Sequence, residues 1–165
     1  MQGRHVTIAK SLISGRGVFA TTTHRRGSLV IVMLGKEISH RELLRQVARR
    51  RIRPGDPLQV TETTYVSLAD PYRLINHSCE PTCFVRGKQE LIALRTIRPG
   101  EEITFDYSRT MWGEPWWKKC TCGAPSCRGK IMQFFKLPRP EQNAILAARQ
   151  AQDFILRKAS TEAPA

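Results

Sequence analysis

Three of the five cysteines crowd into one eight-residue stretch, Cys120-Thr121-Cys122-Gly123-Ala124-Pro125-Ser126-Cys127, and this stretch restricts the fold more than any other. Gly123 and Pro125 supply the sharp turn of a metal knuckle, and thiolates at this spacing can converge on one tetrahedral zinc. Three thiolates leave such an ion one ligand short. The other cysteines, Cys79 and Cys83, lie far upstream in Asn76-His77-Ser78-Cys79-Glu80-Pro81-Thr82-Cys83. A zinc completed from there would staple the C-terminal segment to the middle of the chain. The competing reading is unmetallated core thiols, since free cysteine is often buried. An odd count, the clustering and the lack of an apolar export signal in Met1-Gln2-Gly3-Arg4-His5-Val6 argue against disulfides.

A chain of 165 residues, 41% of them hydrophobic, can enclose one core and is too short for two comfortable domains. It carries no run of about 18 apolar residues, the length that spans a bilayer. The expectation is a soluble intracellular protein, cytoplasmic or nuclear, with no membrane partner. Short β-like runs recur at His5 to Ala9, Gly17 to Ala20, Leu29 to Leu34, Tyr65 to Leu68, Leu91 to Leu94 and Glu102 to Phe105, separated by turn signals such as Arg26-Gly27 and Pro99-Gly100. Ser39-His40-Arg41-Glu42 has the spacing of a capping box, and Leu43, Leu44 and Val47 add an apolar stripe, predicting a helix that stops near Pro54. From Pro140 to about Lys158 the absence of Gly and Pro predicts a C-terminal helix, with Ile145, Leu146, Phe154 and Ile155 as its buried face and Ala159 to Ala165 as a loose tail. The fold class is mostly β (α+β).

Lysine and arginine number 27 against 14 acids, a formal charge of +13. Such a field attracts polyanions, nucleic acid included, and it also simply solubilises a surface. Arg49-Arg50-Arg51-Ile52-Arg53 concentrates it, either as a phosphate-binding run or as a solvated helix end.

Three further stretches carry polar groups in patterns that chemistry uses. Arg73-Leu74-Ile75-Asn76-His77-Ser78-Cys79 offers Asn76 and His77 as ligand-binding or loop-bracing groups. Glu101-Glu102-Ile103-Thr104-Phe105-Asp106-Tyr107 is a strand that ends in a tyrosine, a hydroxyl able to donate a hydrogen bond or move a proton; its paired acids read as a solvated entry. Gly15-Arg16-Gly17 is a turn, or a place where backbone approaches a cofactor closely.

In this order and at these separations, Gly15-Arg16-Gly17-Val18-Phe19-Ala20, Arg73 to Pro81, Glu101 to Tyr107 and Cys120-x-Cys122-x-x-x-x-Cys127 resemble the signature of the SET-domain protein lysine methyltransferases. The resemblance implies a SET domain of several small sheets, with a knot-like C-terminal threading in which the segment ending at Tyr107 passes beneath the loop near Asn76. It implies S-adenosylmethionine held by Gly15, Arg16, Gly17, Arg73, Asn76 and His77, with Tyr107 and Phe105 as the catalytic pair. It also implies a structural zinc (Zn2+) on Cys79, Cys120, Cys122 and Cys127, leaving Cys83 as a core thiol. The domain layout that follows is 1–119 for the SET domain, 120–136 for a post-SET zinc segment and 137–165 for the C-terminal helix and tail, without a cysteine-rich region ahead of the SET core.

Two departures stand out. Where many members of the family place an active-site tyrosine, this chain has Met33, so the resemblance implies a less polar channel. Phe105 carries no hydroxyl, which implies di- or trimethylation of the substrate lysine. The expected partner is a histone-like or other basic protein. Glu80, Glu101, Glu102 and Asp106 are candidates for an acidic rim to attract it, beside a possible nucleic-acid contact. The alternative reading is a catalytically weak SET-like module that binds a peptide or DNA.

Overall fold

The computed structural model describes residues 5–53, 55–113 and 116–161. β1 (Val6–Lys10) and β2 (Arg16–Ala20) form an antiparallel hairpin whose inner residues Val18 and Ala20 are buried. β3 (Leu29–Val32) and β4 (Gly35–Ser39) follow, and Ser39 caps α1 (His40–Ala48) by accepting the Glu42 backbone N–H at 3.2 Å. This is the expected cap. Pro54, where the helix was expected to stop, lies outside the described residues; α1 has already ended at Ala48, with Arg50 in the left-handed region (φ 53).

β5 (Leu58–Gln59), β6 (Thr64–Leu68), β7 (Asn76–His77), β8 (Cys83–Arg86), β9 (Glu90–Ala93) and β10 (Glu102–Phe105) complete the β body. The large sheet runs β1-β2-β10-β8-β9-β3, with β7 also paired to β10, and a second sheet runs β4-β6-β5. β10 is the strand that matters most. It lies antiparallel to β2 and parallel to both β7 and β8, so the glycine turn, the Asn76 segment and the Tyr107 segment meet around it. That adjacency is the part of the expected knot-like arrangement that the pairings define. Under the sheets, Val18, Ile31, Met33, Val66, Ile75, Val85, Leu91, Ile103 and Phe105 form the main core.

The expected run from Leu29 to Leu34 ends as a strand at Val32, and Met33 just beyond it still meets Gln89: its N–H donates to the Gln89 carbonyl, and its own carbonyl accepts from the Gln89 side chain. After β10 come a short β11–β12 ladder (Lys118–Lys119 with Lys130–Ile131) and two helices, α2 (Arg139–Ala147) and α3 (Asp153–Thr161). A single helix from Pro140 to Lys158 is therefore corrected to two. The break has a tertiary cause. Fully buried Gln152 donates to the Lys88 carbonyl at 2.6 Å, and Asp153 accepts the Gly87 N–H at 3.1 Å, which docks this corner on the β8–β9 turn. Arg149, at φ 52, closes α2. Ile145, Phe154 and Ile155 do face inward, packing with Phe134 and Leu137 in a second core. Ala159 to Thr161, expected in a loose tail, belong instead to α3, and the rest of that tail, 162–165, lies outside the described residues.

Candidate active site

β10 and β7 bring the first pair of motifs together. The Ser78 N–H donates to the Phe105 carbonyl at 3.3 Å, and the Tyr107 N–H donates to Nδ1 of His77 at 3.2 Å. The Tyr107 hydroxyl donates to the Ile75 carbonyl at 2.7 Å. Phe105 and Tyr107 rings stand 4.8 Å apart, centroid to centroid. With its proton committed to Ile75, the Tyr107 oxygen keeps lone pairs free to accept from another donor. Burial, reinforced by the nearby charges of Asp56 and Glu102, holds this phenol well above its ordinary range, so it stays protonated.

The glycine turn is fastened to the same place by Asn76, one of the two expected bracing groups, together with Glu102, whose acid was expected to be solvated. Asn76 donates from Nδ2 to the carbonyls of Ser14 and Arg16, each at 3.2 Å, and to Oε1 of Glu102 at 2.8 Å. Ser11 donates to the other Glu102 oxygen at 2.9 Å. A Cβ at Gly17 would sit 2.1 Å from Glu102 Oε1, so the carboxylate holds this place only while the residue is glycine. Glu102 opens a strand, and period-two alternation sets it on the face opposite Ile103; that this face meets the glycine turn is decided by tertiary structure.

Beside this clasp lies a polar cleft of about 520 Å3, whose walls include Ser14, Gly15, Arg16, Arg73 and Asn76. Of the six residues expected at the cofactor, Gly15, Arg16, Arg73 and Asn76 are thus brought together, while Gly17 packs on Glu102 and the His77 ring turns toward the thiols. A much narrower gap of about 30 Å3 adjoins the cleft and is lined by Tyr72, Ile75, Phe105, Tyr107 and Met111, among others. The two spaces share Asp56, Pro57, Leu68 and Arg73. Met33 lines neither; it is wholly enclosed in the main core.

The thiols gather on the far side of His77. Cys79 and Cys120 sulfurs are 3.8 Å apart. A tetrahedral ion with zinc–sulfur bonds of about 2.3 Å separates its sulfurs by about 3.8 Å, so the pair has the spacing of shared ligands. Cys122 accepts the Cys79 N–H at 3.5 Å, and Cys127 packs beside these thiols. Burial pushes the Cys79 thiol up to about 11. Burial also raises Cys122, but backbone bonds from Cys79 and Ala124 and the neighbouring thiols outweigh it and bring it down to about 7. Cys127 lies outside the group of donor atoms that all stand within 4.8 Å of one another, a group whose chemistry suits one zinc and that is made of Cys79, Cys120, Cys122 and His77. Because Nδ1 of His77 accepts from Tyr107, its Nε2 carries the proton and faces the Cys79 sulfur at 3.4 Å as a donor. Burial, only partly opposed by Asp106, lowers this ring to about 4 and keeps it neutral. Cys83 is fully buried apart from the cluster, and burial pushes it up to about 12.

The four acids expected as a rim each have a partner within the chain. Glu80 accepts from Ser126 on both backbone and hydroxyl. Glu101 pairs with Arg95, and Glu102 holds Asn76. Asp106 is buried against Arg128 at 2.7 Å, and Arg128 reaches on to Glu141 of α2. The buried Asp106 carboxylate needs its partner, whereas Glu80 stays exposed beside Ser126.

The SET domain model matches residues 15–108, and the chain belongs to the SET domain family. It is 34% identical over 147 residues to "Histone-lysine N-methyltransferase TRX1" of Oryza sativa subsp. japonica, a match covering 78% of this chain and 14% of that protein. It is likewise 34% identical over 148 residues to "Histone H3-lysine(4) N-trimethyltransferase ATX1" of Arabidopsis thaliana, covering 78% and 13%. To "Histone-lysine N-methyltransferase 2B" of Homo sapiens it is 34% identical over 140 residues, covering 74% and 5%. The chain thus spans 14% or less of the length of these three relatives. Among solved structures, "ctPRC2 in an autoinhibited conformation bound to S-adenosylmethionine" shares the fold, with a TM-score of 0.58 and 24% identity over 66% of this chain and 16% of that one.

Proposed function

We propose that this chain is a protein lysine N-methyltransferase that uses S-adenosylmethionine, with Gly15, Arg16, Arg73 and Asn76 framing the cofactor and the Tyr107 gap admitting the lysine. The observation that carries the reading is the shared wall of Asp56, Pro57, Leu68 and Arg73, across which a bound cofactor and an incoming amine can face one another. In this reading 1–119 is the SET domain, 120–136 the zinc segment and 137–165 the helical C-terminal part.

The cofactor supplies an electrophilic methyl group on a sulfonium. The protein's own contribution is orientation and dryness. Tyr107, protonated and anchored on Ile75, accepts an N–H of the amine and so aims its lone pair, a positioning role rather than that of a base. The lysine, with a solution pKa of about 10.4, delivers its proton to water. Phe105 presents no hydroxyl to hold an amine rotamer, which favours repeated transfer to the di- or trimethyl product. Zinc on Cys79, Cys120, Cys122 and Cys127 fixes the segment after Tyr107 against β7. The relatives' names support a histone or other basic protein as substrate and a place near chromatin. No helix among the described residues is long and apolar enough to cross a membrane.

Incubation with isotope-labelled S-adenosylmethionine and a basic-protein mixture should label lysines with the native chain and not with Tyr107→Phe. Cofactor binding without any labelling would rule the reading out.

A further inference from the structure

The cleft assigned to the cofactor holds more positive charge than that ligand can use. Arg16, Arg51, Arg53 and Arg73 line it, against the single carboxylate of Asp56. Arg73 pairs with Asp70, whereas among the described residues no ion pair holds Arg16, Arg51 or Arg53. S-adenosylmethionine brings one carboxylate, which one guanidinium can grip through two hydrogen bonds, and two cationic groups besides. A surplus remains.

That surplus continues outward. Arg49, Arg50, Arg51 and Arg53 are all exposed. Arg50 takes a left-handed conformation at the end of α1, where glycine would be accommodated at less cost. The chain keeps a guanidinium there. Elsewhere Trp116 packs on Gly55, and the exposed Lys118 and Lys119 follow it on β11.

We propose that the Arg49 to Arg53 strip binds the phosphate backbone of a nucleic acid, so that the substrate is a lysine of a basic protein carried on that nucleic acid. The substrate half rests on the proposed methyl transfer; the binding half does not. A chain of formal charge +13 and a free basic protein repel one another, and each acid expected to bridge them already has a partner within the chain. Duplex DNA carries one charge per about 1.7 Å of axis. An acidic polypeptide offers at most one per residue, about 3.3 Å of extended chain. The denser polyanion keeps phosphates to spare after neutralising its cargo, and guanidinium forks match them.

The experiment measures the affinity of the full chain for a short fluorescein-labelled DNA duplex by anisotropy over a range of salt. The slope of log K against log salt should be about −0.9 per phosphate neutralised. Arg51→Gln with Arg53→Gln should flatten it by about 2, and Arg49→Gln with Arg50→Gln, outside the cleft lining, should do the same. Arg86→Gln on β8, whose arginine is paired with Glu90 of β9, should leave the slope alone. Slopes unchanged in both arginine pairs would overturn the location, and polyglutamate competing as well as DNA at equal charge would overturn the phosphate assignment. Equal methylation rates for a basic protein free and on DNA would overturn the presentation step. Salt-dependent binding that falls with the arginines while no lysine is ever labelled would sink the enzymatic reading and leave this surface standing.

Discussion

The carboxylate of Glu102 occupies the space that a side chain on Gly17 would need, 2.1 Å from an added Cβ. Alanine at 17 forces that carboxylate aside, and the displacement breaks its bonds to Asn76 and Ser11. The carboxylate is the far end of a flexible chain, so the loss should be confined to those bonds, about 2 kcal/mol. Glu102→Ala removes the same bonds and the obstacle together. The double variant should therefore cost less than the two single losses added, with coupling of about 1 kcal/mol or more in a denaturation cycle. Strict additivity would show that the two residues act independently.

Tyr107→Phe should lower kcat at least 100-fold, about 2.7 kcal/mol of barrier, while the cofactor Kd moves less than threefold. Because burial holds the Tyr107 proton on, the native rate should keep rising with pH as the substrate amine deprotonates, without a falling limb up to about pH 10. A Tyr107 that served as a base would instead impose its own ionisation on the profile.

Phe105→Tyr puts a hydroxyl into a gap of about 30 Å3, where it can take an amine hydrogen and the room for another methyl group. Intact-mass analysis of the product should shift toward monomethyllysine. An unchanged mixture of methylation states would remove Phe105 from the control of product.

Metal analysis should find one zinc per chain, lost on substitution of Cys79, Cys120, Cys122 or Cys127 by Ser and retained in Cys83→Ser, since Cys83 lies in the main core. A strong chelator should loosen the segment from Lys118 to Ile131 before the sheets, seen as faster amide exchange there.

Arg128→Met leaves the buried Asp106 carboxylate with Arg109 at 3.5 Å as its remaining ionic partner and frees Glu141. The expected loss is about 3 kcal/mol or more by urea denaturation.

What could be read from the chain was whatever short spacing encodes. The thiol trio and the Ser39 cap follow from local pattern, while the meeting of the Asn76 and Tyr107 segments was implied only by the family resemblance. Strands of two residues such as β5 and β7 carry no periodicity, and they exist only because β6 and β10 are there to pair with them. The break between α2 and α3 is written in Gln152 and Asp153, but its meaning depends on the β8–β9 turn that receives them. Paired acids look alike whether solvated or clasped. Only the fold separates Glu102, which braces Asn76, from Glu101, which answers Arg95.

β10 lies between strands that all precede it in the chain. Its tyrosine can reach its working position only when the hairpin at the start and the Asn76 segment are already in place, and the thiols beyond it close last. A growing polypeptide is thus inert until its final third emerges, and a cut anywhere upstream that frees one of those partners silences the whole molecule.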